Sequence, residues 1–244
     1  MADLLILCAT PHEMSAFLAQ YPPNQEQVTR TGVRILSGRI DKTPYSLAFT
    51  GVGVFNTAST LTLLLERLTP SVILQTGIAG VFEKSGYGLG DIGLADREHY
   101  IHTGIADGNT EADPLPFDLI RDQPSTRKGI YHFEHELLLS AYDRLIREFG
   151  ASPTAICKGP FITVSGITGG SGRADELYSA FTPVMEAMEG AAAAHIAALY
   201  RTSFLEVRSA SNFVGEREKS KWDIPGAINR MPGICRAVSG MEMA

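Results

Sequence analysis

A chain of 244 residues can bury one substantial core, and length alone allows one domain or two. Apolar residues make up 44% of it and charged residues 20%, which excludes a disordered chain. Lysine and arginine total 21 against 27 aspartates and glutamates; the net charge of −6 has the wrong sign for a nucleic-acid or anionic-membrane surface. No apolar run approaches the ~20 residues of a membrane span.

The first apolar run, Leu4 to Ala9, predicts a strand buried on both faces, as a parallel sheet requires. Thr10-Pro11 ends it, and a helix is expected from Glu13 to Ala19. Tyr45 to Phe49 predicts a second strand, closed by Thr50-Gly51-Val52-Gly53 and followed by a helix from Asn56 to Leu68. A third strand, Ser71 to Gln75, runs into an expected turn, Thr76-Gly77-Ile78-Ala79-Gly80, and Asp91 to Ala95 reads as a fourth. Residues 107–129 are rich in Pro, Gly and Asp and read as a long loop, of a length that often serves as a lid. Glu134 to Phe149 is amphipathic, with Leu137, Leu138, Ala141, Leu145 and Phe149 on one face. Thr154 to Lys158 and Phe161 to Ser165 predict two strands, Arg173 to Phe181 a short helix, Ala191 to Tyr200 an alanine-rich helix, and Phe204 to Ala210 the last clear strand. Between Trp222 and Met231, Pro225 and Pro232 leave a helix undecided.

Alternating strands and helices, with no linker, predict a single α/β domain over 1–244 with a mostly parallel twisted sheet. Ligands of such sheets sit at the carboxyl ends of the strands. Glu13, Gly51 to Gly53, Gly77 to Gly80, Thr163 to Gly169, Met185 to Glu189, and Ser211-Asn212 are therefore the positions to read.

Several familiar sites are missing. Gly51-Val52-Gly53-Val54-Phe55-Asn56 lacks the third glycine of a dinucleotide fingerprint, and there is neither a P-loop nor a G-x-S-x-G elbow. His132 and His135 beside Glu134 and Glu136 give only a weak metal signal against a solvated helix start, so neither metal nor cofactor is expected. His195 reads as a core histidine. Cys8, Cys157 and Cys235 are too scattered for a disulfide framework and read as buried small hydrophobes. Met1-Ala2-Asp3 has no basic stretch of a secretory signal, and a cytoplasmic location is expected. Taken singly, Glu13 is either a first-turn helix glutamate or a desolvated acid or base. Glu186 and Glu189 are either solvated or site carboxylates, and Asn212 is either a turn cap or a ligand-facing amide.

Taken in order, the segments resemble the purine nucleoside phosphorylase and uridine phosphorylase superfamily. They are Ala9-Thr10-Pro11-His12-Glu13, Thr50-Gly51-Val52-Gly53, Thr76-Gly77-Ile78-Ala79-Gly80, Gly90-Asp91-Ile92-Gly93, Val164-Ser165-Gly166, Met188-Glu189-Gly190-Ala191, and Val207-Arg208 with Ser211-Asn212. The nearest branch is the nucleosidases of methylthioadenosine and S-adenosylhomocysteine. Thr163-Val164 with Ile167-Thr168-Gly169, and Ser211 to Arg217 with Ser220-Lys221-Trp222, look most like the futalosine hydrolases. The resemblance implies a three-layer sandwich and a homo-oligomer with a neighbouring subunit over the site. It further implies hydrolysis of futalosine to hypoxanthine and dehypoxanthinyl futalosine in menaquinone biosynthesis, without metal or cofactor. It puts Glu13 at the water, Met188 and Glu189 at the ribose, Asn212 with Ile167 and Thr168 at the purine, and Ile78-Ala79-Gly80 along the site.

These residue types suit that chemistry. A carboxylate can take a proton from water, and another under the ribose faces a developing cation. Met188 would offer a polarizable surface. Asn212 stands where adenine-specific nucleosidases carry an aspartate; its amide donors suit the O6 and N7 acceptors of a 6-oxopurine, although it cannot deliver a proton. Phosphorylases of the superfamily hold phosphate with arginines and a serine after the glycine turn. Here that position is Ile78, and the Thr10–Glu13 loop has no arginine, which favours water. Arg208 either orients Glu189 or Glu13 or makes a structural ion pair. Arg217, Lys219 and Lys221 either meet the benzoate of futalosine or form a solvated run. Inosine, 6-amino-deoxyfutalosine and methylthioadenosine remain alternative substrates, and a noncatalytic nucleoside sensor is the rival from another class.

Overall fold

The computed structural model describes residues 4–105 and 115–241. Its strands and helices, in chain order, are β1 (Leu4–Cys8), α1 (Ser15–Gln20), β2 (Gln25–Val28), β3 (Arg34–Ile40), β4 (Thr43–Phe49), α2 (Val54–Leu65), β5 (Val72–Val81) and β6 (Ile92–Tyr100). There follow β7 (Ile130–His132), α3 (His135–Phe149), β8 (Ile156–Thr163), α4 (Ser171–Phe181), β9 (Met185–Ala187), α5 (Gly190–Leu199), β10 (Ser203–Phe213), α6 (Ile224–Ile228) and α7 (Met231–Val238).

All strands join one sheet. β5, β10, β6, β8 and β9 each pair with the next, and β9 returns to β5, so this part closes into a ring without free edges. β1, β4, β3 and β2 extend from β5 as an open wing. The long pairings, β10 with β5 and β6 with β8, are parallel, as are those of β1 with β4 and β5. Antiparallel pairing is confined to the outer wing, β7, and the short contacts that close the ring. β1 shows why its sequence is apolar throughout. Leu5 and Leu7 pack with Leu61, Leu64, Ala193 and Ala197 of α2 and α5; Ile6 and Cys8 pack with Phe17, Leu138, Leu145 and Ile234 of α1, α3 and α7. Helices on both faces of the sheet make the expected three layers.

The structure departs from the sequence expectations where tertiary pairing overrides local signals. The expected turn at Thr76–Gly80 is strand: β10 runs alongside it and supplies partners for backbone groups that a buried turn would leave unpaired. The two strands expected around Gly159-Pro160 are one; Pro160, lacking an N–H, sits where the register with β6 shifts between Ala95 and Arg97. Pro225 and Pro232 each occupy a first helical turn, where no N–H is needed, so two short helices replace the undecided one. The proposed lid over 107–129 lies partly outside the described residues. Of its described part, Ile120 is buried in the core shared by α2 and α5, and Gln123 Nε2 donates to Ala198 O at 2.7 Å.

All three cysteines are buried and free. Burial, with a smaller effect of Asp91, pushes the Cys157 thiol up to about 12, and burial pushes Cys235 higher still. A thiol reagent should therefore titrate no cysteine in the native protein and all three after denaturation. Rapid labelling without denaturant would contradict the packing. No helix among the described residues is long and apolar enough to cross a membrane.

Candidate active site

Glu13 lies in the turn between β1 and α1, not in the helix itself, and its side chain folds back over the strand ends. Oε2 accepts from the Thr10 backbone N–H at 2.9 Å and from Thr10 Oγ1 at 2.7 Å; Oε1 accepts from the Ile78 N–H at 3.1 Å. The residue is only 7% exposed. The carboxylate comes so close to β5 that a Cβ on Gly77 would stand 2.6 Å from Oε1, 3.3 Å from Arg208 Nη1 and 3.4 Å from Cys8 Sγ. Gly77 has φ +139°, a further reason for glycine there.

Glu189 is the residue before α5 and is 3% exposed. Its Oε1 accepts from the Gly53 N–H at 2.9 Å, and its Oε2 meets Arg208 Nη2 at 3.2 Å. Gly53, with φ +91°, caps the N-terminus of α2, so the helix dipole reinforces the bond to the carboxylate. Arg208 is buried and also donates from Nε to Glu206 Oε1 at 2.9 Å. Burial opposes its charge, but Glu206 and Glu189 outweigh that and hold the guanidinium above its ordinary value. Beneath the site, burial and the neighbouring Glu13 keep the Cys8 thiol well above the ordinary range, hence neutral. Glu13 Oε1 and Arg208 Nη1 thus approach the same spot over Gly77, and Arg208 in turn pairs with Glu189.

Asn212 stands farther along the same strand pair. A bulge in β10 between Ala210 and Asn212 sets it opposite Gly80, two residues and about 7 Å beyond Ile78. A Cβ on Gly80 would lie 2.9 Å from Val214 Cγ2 and 3.4 Å from Asn212 Nδ2, so glycine makes room chiefly for Val214 beside the amide. Ser211 Oγ donates to Asn212 Oδ1 at 2.9 Å, and Asn212 Nδ2 donates to Phe213 O at 3.0 Å. One of the two N–H donors expected for a purine is therefore already engaged inside the protein. On the other side of Gly80, β9 brings Glu186 into register, roughly 10 Å from Asn212 at the usual strand spacing.

Glu186 is not a solvated carboxylate. It is 7% exposed and accepts from the Thr168 N–H at 3.1 Å and from the Thr168 hydroxyl. Burial raises its pKa, while the Thr168 bonds pull it back. Ile167 beside it is 55% exposed, and Met188 packs on the cluster of Phe82, Ile162 and Val164. His195 is half-buried with Nδ1 3.0 Å from Tyr131 Oη, as a core histidine should be. Among the described residues no cluster of His, Cys, Asp and Glu could hold a metal. Lys221 pairs with Glu216 and Glu218 at the surface, and Arg217 lies over the Trp222 ring.

Sequence reading placed Gly53 and Gly77 only in strand-end turns, and missed Glu206 and Glu98. The signal for Glu206 was present: Glu206 and Arg208 are two apart in the otherwise apolar run Phe204 to Arg208, so they share a face.

Residues 3–238 match the family described as the phosphorylase superfamily. The chain belongs to that superfamily. Among its relatives is a futalosine hydrolase of Acidothermus cellulolyticus, 32% identical over 173 residues, which are 68% of this chain and 64% of that protein. Thus the match spans somewhat less than two thirds of that relative's length. A 5'-methylthioadenosine/S-adenosylhomocysteine nucleosidase of Maridesulfovibrio salexigens is 29% identical over 182 residues, 74% of this chain and 73% of that one. The S-adenosylhomocysteine nucleosidase of Streptococcus pyogenes, solved with 5-methylthiotubericidin, superposes with a TM-score of 0.79 at 24% identity, over 97% of this chain and 95% of its own. The corresponding nucleosidase of Colwellia psychrerythraea, solved with adenine, gives 0.80 at 17% identity over 100% and 98%. These structures share the superfamily fold found here.

Proposed function

We propose that this member of the phosphorylase superfamily is a purine nucleosidase that hydrolyses futalosine to hypoxanthine and dehypoxanthinyl futalosine. The observation that carries this is the pair of buried carboxylates: Glu13 after β1, bonded to the Ile78 N–H of β5, and Glu189 after β9, paired with Arg208. The 32% identical futalosine hydrolase supports the choice of substrate.

In the reaction the N-glycosidic bond breaks towards the base, leaving a ribosyl cation that water attacks at the anomeric carbon. Glu13, an acceptor-only group already carrying three donors, takes the water's proton. Glu189 accepts from the ribose hydroxyls and places negative charge beside the developing cation. Met188 lies under the sugar. Asn212, with Thr168 and Ile167 across Gly80, borders the base; its uncommitted N–H donates to the 6-oxopurine edge, and solvent supplies the proton that Asn212 cannot. Ile78 has no hydroxyl to offer phosphate, consistent with water as nucleophile. No metal or cofactor enters this scheme. Such an enzyme serves menaquinone biosynthesis in the cytoplasm. Val52 and Phe55 flank the Gly53 amide and are 50% and 87% exposed, an apolar pair suited to the face of a second copy in a homo-oligomer.

Incubating the protein with futalosine, without phosphate, should release free hypoxanthine; well-folded protein that releases none would end the proposal. A nucleosidase acting on methylthioadenosine is the alternative favoured by the 29% identical relative. Asn212→Asp tests the base assignment. An aspartate can accept from an adenine amino group, so the ratio of methylthioadenosine to futalosine cleavage should rise about tenfold or more, the equivalent of one mismatched buried hydrogen bond. An unchanged ratio would show that Asn212 does not read the base.

A further inference from the structure

Two carboxyls behind the site have no part in this scheme. Glu98 on β6 and Glu206 on β10 are both 0% exposed. Glu98 Oε2 accepts from Thr163 Oγ1 at 2.8 Å, and the same Thr163 oxygen accepts from the Ala191 N–H at 2.8 Å. Glu206 Oε1 accepts from Arg208 Nε. The remaining oxygens, Glu98 Oε1 and Glu206 Oε2, receive no donor from any other group among the described residues. They converge on one point: a Cβ on Gly190 would lie 2.3 Å from the first and 2.2 Å from the second. Gly190 follows Glu189, so the backbone carrying a site carboxylate is packed directly against the pair.

Two ionised carboxylates do not share a buried space without a counter-charge for each, and among the described residues the contacting cation, Arg208, is already divided between Glu206 and Glu189. We propose that Glu98 and Glu206 are positioning residues: a carboxylic acid and a carboxylate, joined by one proton, that pin Arg208 by its Nε so that Nη2 meets Glu189 and Nη1 faces Glu13. The proton resides on Glu98 and donates to Glu206, because Arg208 fixes the negative charge on Glu206. Burial, and then Glu206 beside it, push Glu98 well above the ordinary carboxylate range.

The arrangement answers a problem of the site. Glu13, Glu189, Glu206 and Glu98 surround a single guanidinium. Were Nε unheld, Arg208 could turn its fork onto Glu189 and occupy the lone pairs that ribose hydroxyls need. Held from behind, it gives Glu189 one bond and leaves Glu189 Oε1 to the Gly53 amide. The groups facing the pair are Arg208 on the same strand, Thr163 on β8, Glu189 before α5, and Tyr131 on β7. The Tyr131 phenol is raised by burial, and so stays neutral. Loss of the shared proton at alkaline pH adds a second charge beside Glu206, which draws Arg208 back from Glu189.

The test combines three measurements on the full chain. Infrared spectra at neutral pH should show the carbonyl stretch of a protonated carboxyl in the wild type, and Glu98→Gln should lack it. In Glu98→Gln the amide can donate to Glu206 and accept from Thr163, so the pair keeps its shape without a titrating proton. The alkaline fall in kcat on futalosine should therefore be present in the wild type and absent from this variant. The Arg208 Nε–H resonance should be protected in the wild type, lost to solvent exchange in Glu206→Leu, and recovered in Glu206→Gln, which keeps an acceptor. Glu206→Leu should also lower kcat about tenfold, the scale of a small misplacement, with Glu206→Gln recovering most of it. Absence of the carboxylic acid band overturns the shared proton. A protected Nε–H in folded Glu206→Leu, or its absence from the wild type, overturns the pinning. The effect on kcat rests on the hydrolase assignment, but the infrared and resonance measurements need no substrate. A protein inert to futalosine that passes both would fault the substrate and not the pair.

Discussion

Glu13→Gln is expected to lower futalosine turnover by about 10²–10⁴-fold, the usual contribution of a positioned acid or base, while hypoxanthine still binds. The native group receives three donors: the Thr10 N–H, the Thr10 hydroxyl and the Ile78 N–H. A carboxylate satisfies all three and still has a lone pair for a proton from water. An amide has one oxygen. If the oxygen faces Thr10, the amide N–H₂ meets the Ile78 N–H; if it faces Ile78, the N–H₂ meets the Thr10 N–H. Either way a buried donor loses its partner, at a cost of about 1–3 kcal/mol. Stability should fall by that amount and no more, since Glu13 anchors no element of the core. Turnover and hypoxanthine affinity, measured by base release and calorimetry, separate the effects: kcat collapses and binding persists. Wild-type turnover in the variant would show that Glu13 handles no proton. Wild-type protein that binds the nucleoside without cleaving it would favour the sensor.

What could be read from the sequence, and what could not, follows from how far apart the causes lie along the chain. β1 was legible because burial on both faces leaves a continuous apolar run. α3 was legible because its buried Leu137, Leu138, Ala141 and Leu145 recur at helical spacing. Glu13, Glu189 and Asn212 were legible only through their order. The structure pairs Glu189 with Arg208, brings Glu13 Oε1 near the same guanidinium over Gly77, and holds Asn212 at the next stop along β5 and β10. β5 was cut short because glycines mark turns locally, whereas here Gly77 and Gly80 clear space for Glu13 and Val214 within a strand. Glu186 stayed undecided between a solvated and a site carboxylate because nothing nearby in sequence announces that Thr168, 18 residues earlier, will close over it. The engagement of one Asn212 N–H depends on a bulge, a property of the pairing of β10 with β5 and not of either strand alone. Glu98 escaped notice for a similar reason: only closure of the ring brings β6 beside β10 and buries it.

Gly77→Ala should reproduce much of the Glu13 defect without touching Glu13, and its size can be anticipated from distances. The new methyl would stand 2.6 Å from Glu13 Oε1, well inside contact, with Arg208 Nη1 at 3.3 Å and Cys8 Sγ at 3.4 Å behind it. Arg208 is tied to Glu189 and Glu206 and has nowhere to go. Glu13 is the group that yields, and retreat to ordinary contact breaks its 3.1 Å bond to the Ile78 N–H. A displacement of about an ångström at a reacting group can cost about 10²-fold in rate. The φ of +139° adds backbone strain of about 1–3 kcal/mol for a residue with a Cβ. Both kcat and the melting temperature should therefore drop. Gly80→Ala, three residues on, makes the informative comparison. Its methyl would meet Val214 Cγ2 at 2.9 Å, so that side chain must shift, and Asn212 only at 3.4 Å; its φ is not positive. Substitution there should act on the base and not on water, raising KM for futalosine more than it lowers kcat. If Gly77→Ala kept wild-type kcat, or the two variants showed the same kinetic defect, the close approach of β5 to Glu13 would have no bearing on the chemistry, and the carboxylate would have to be seated by Thr10 alone.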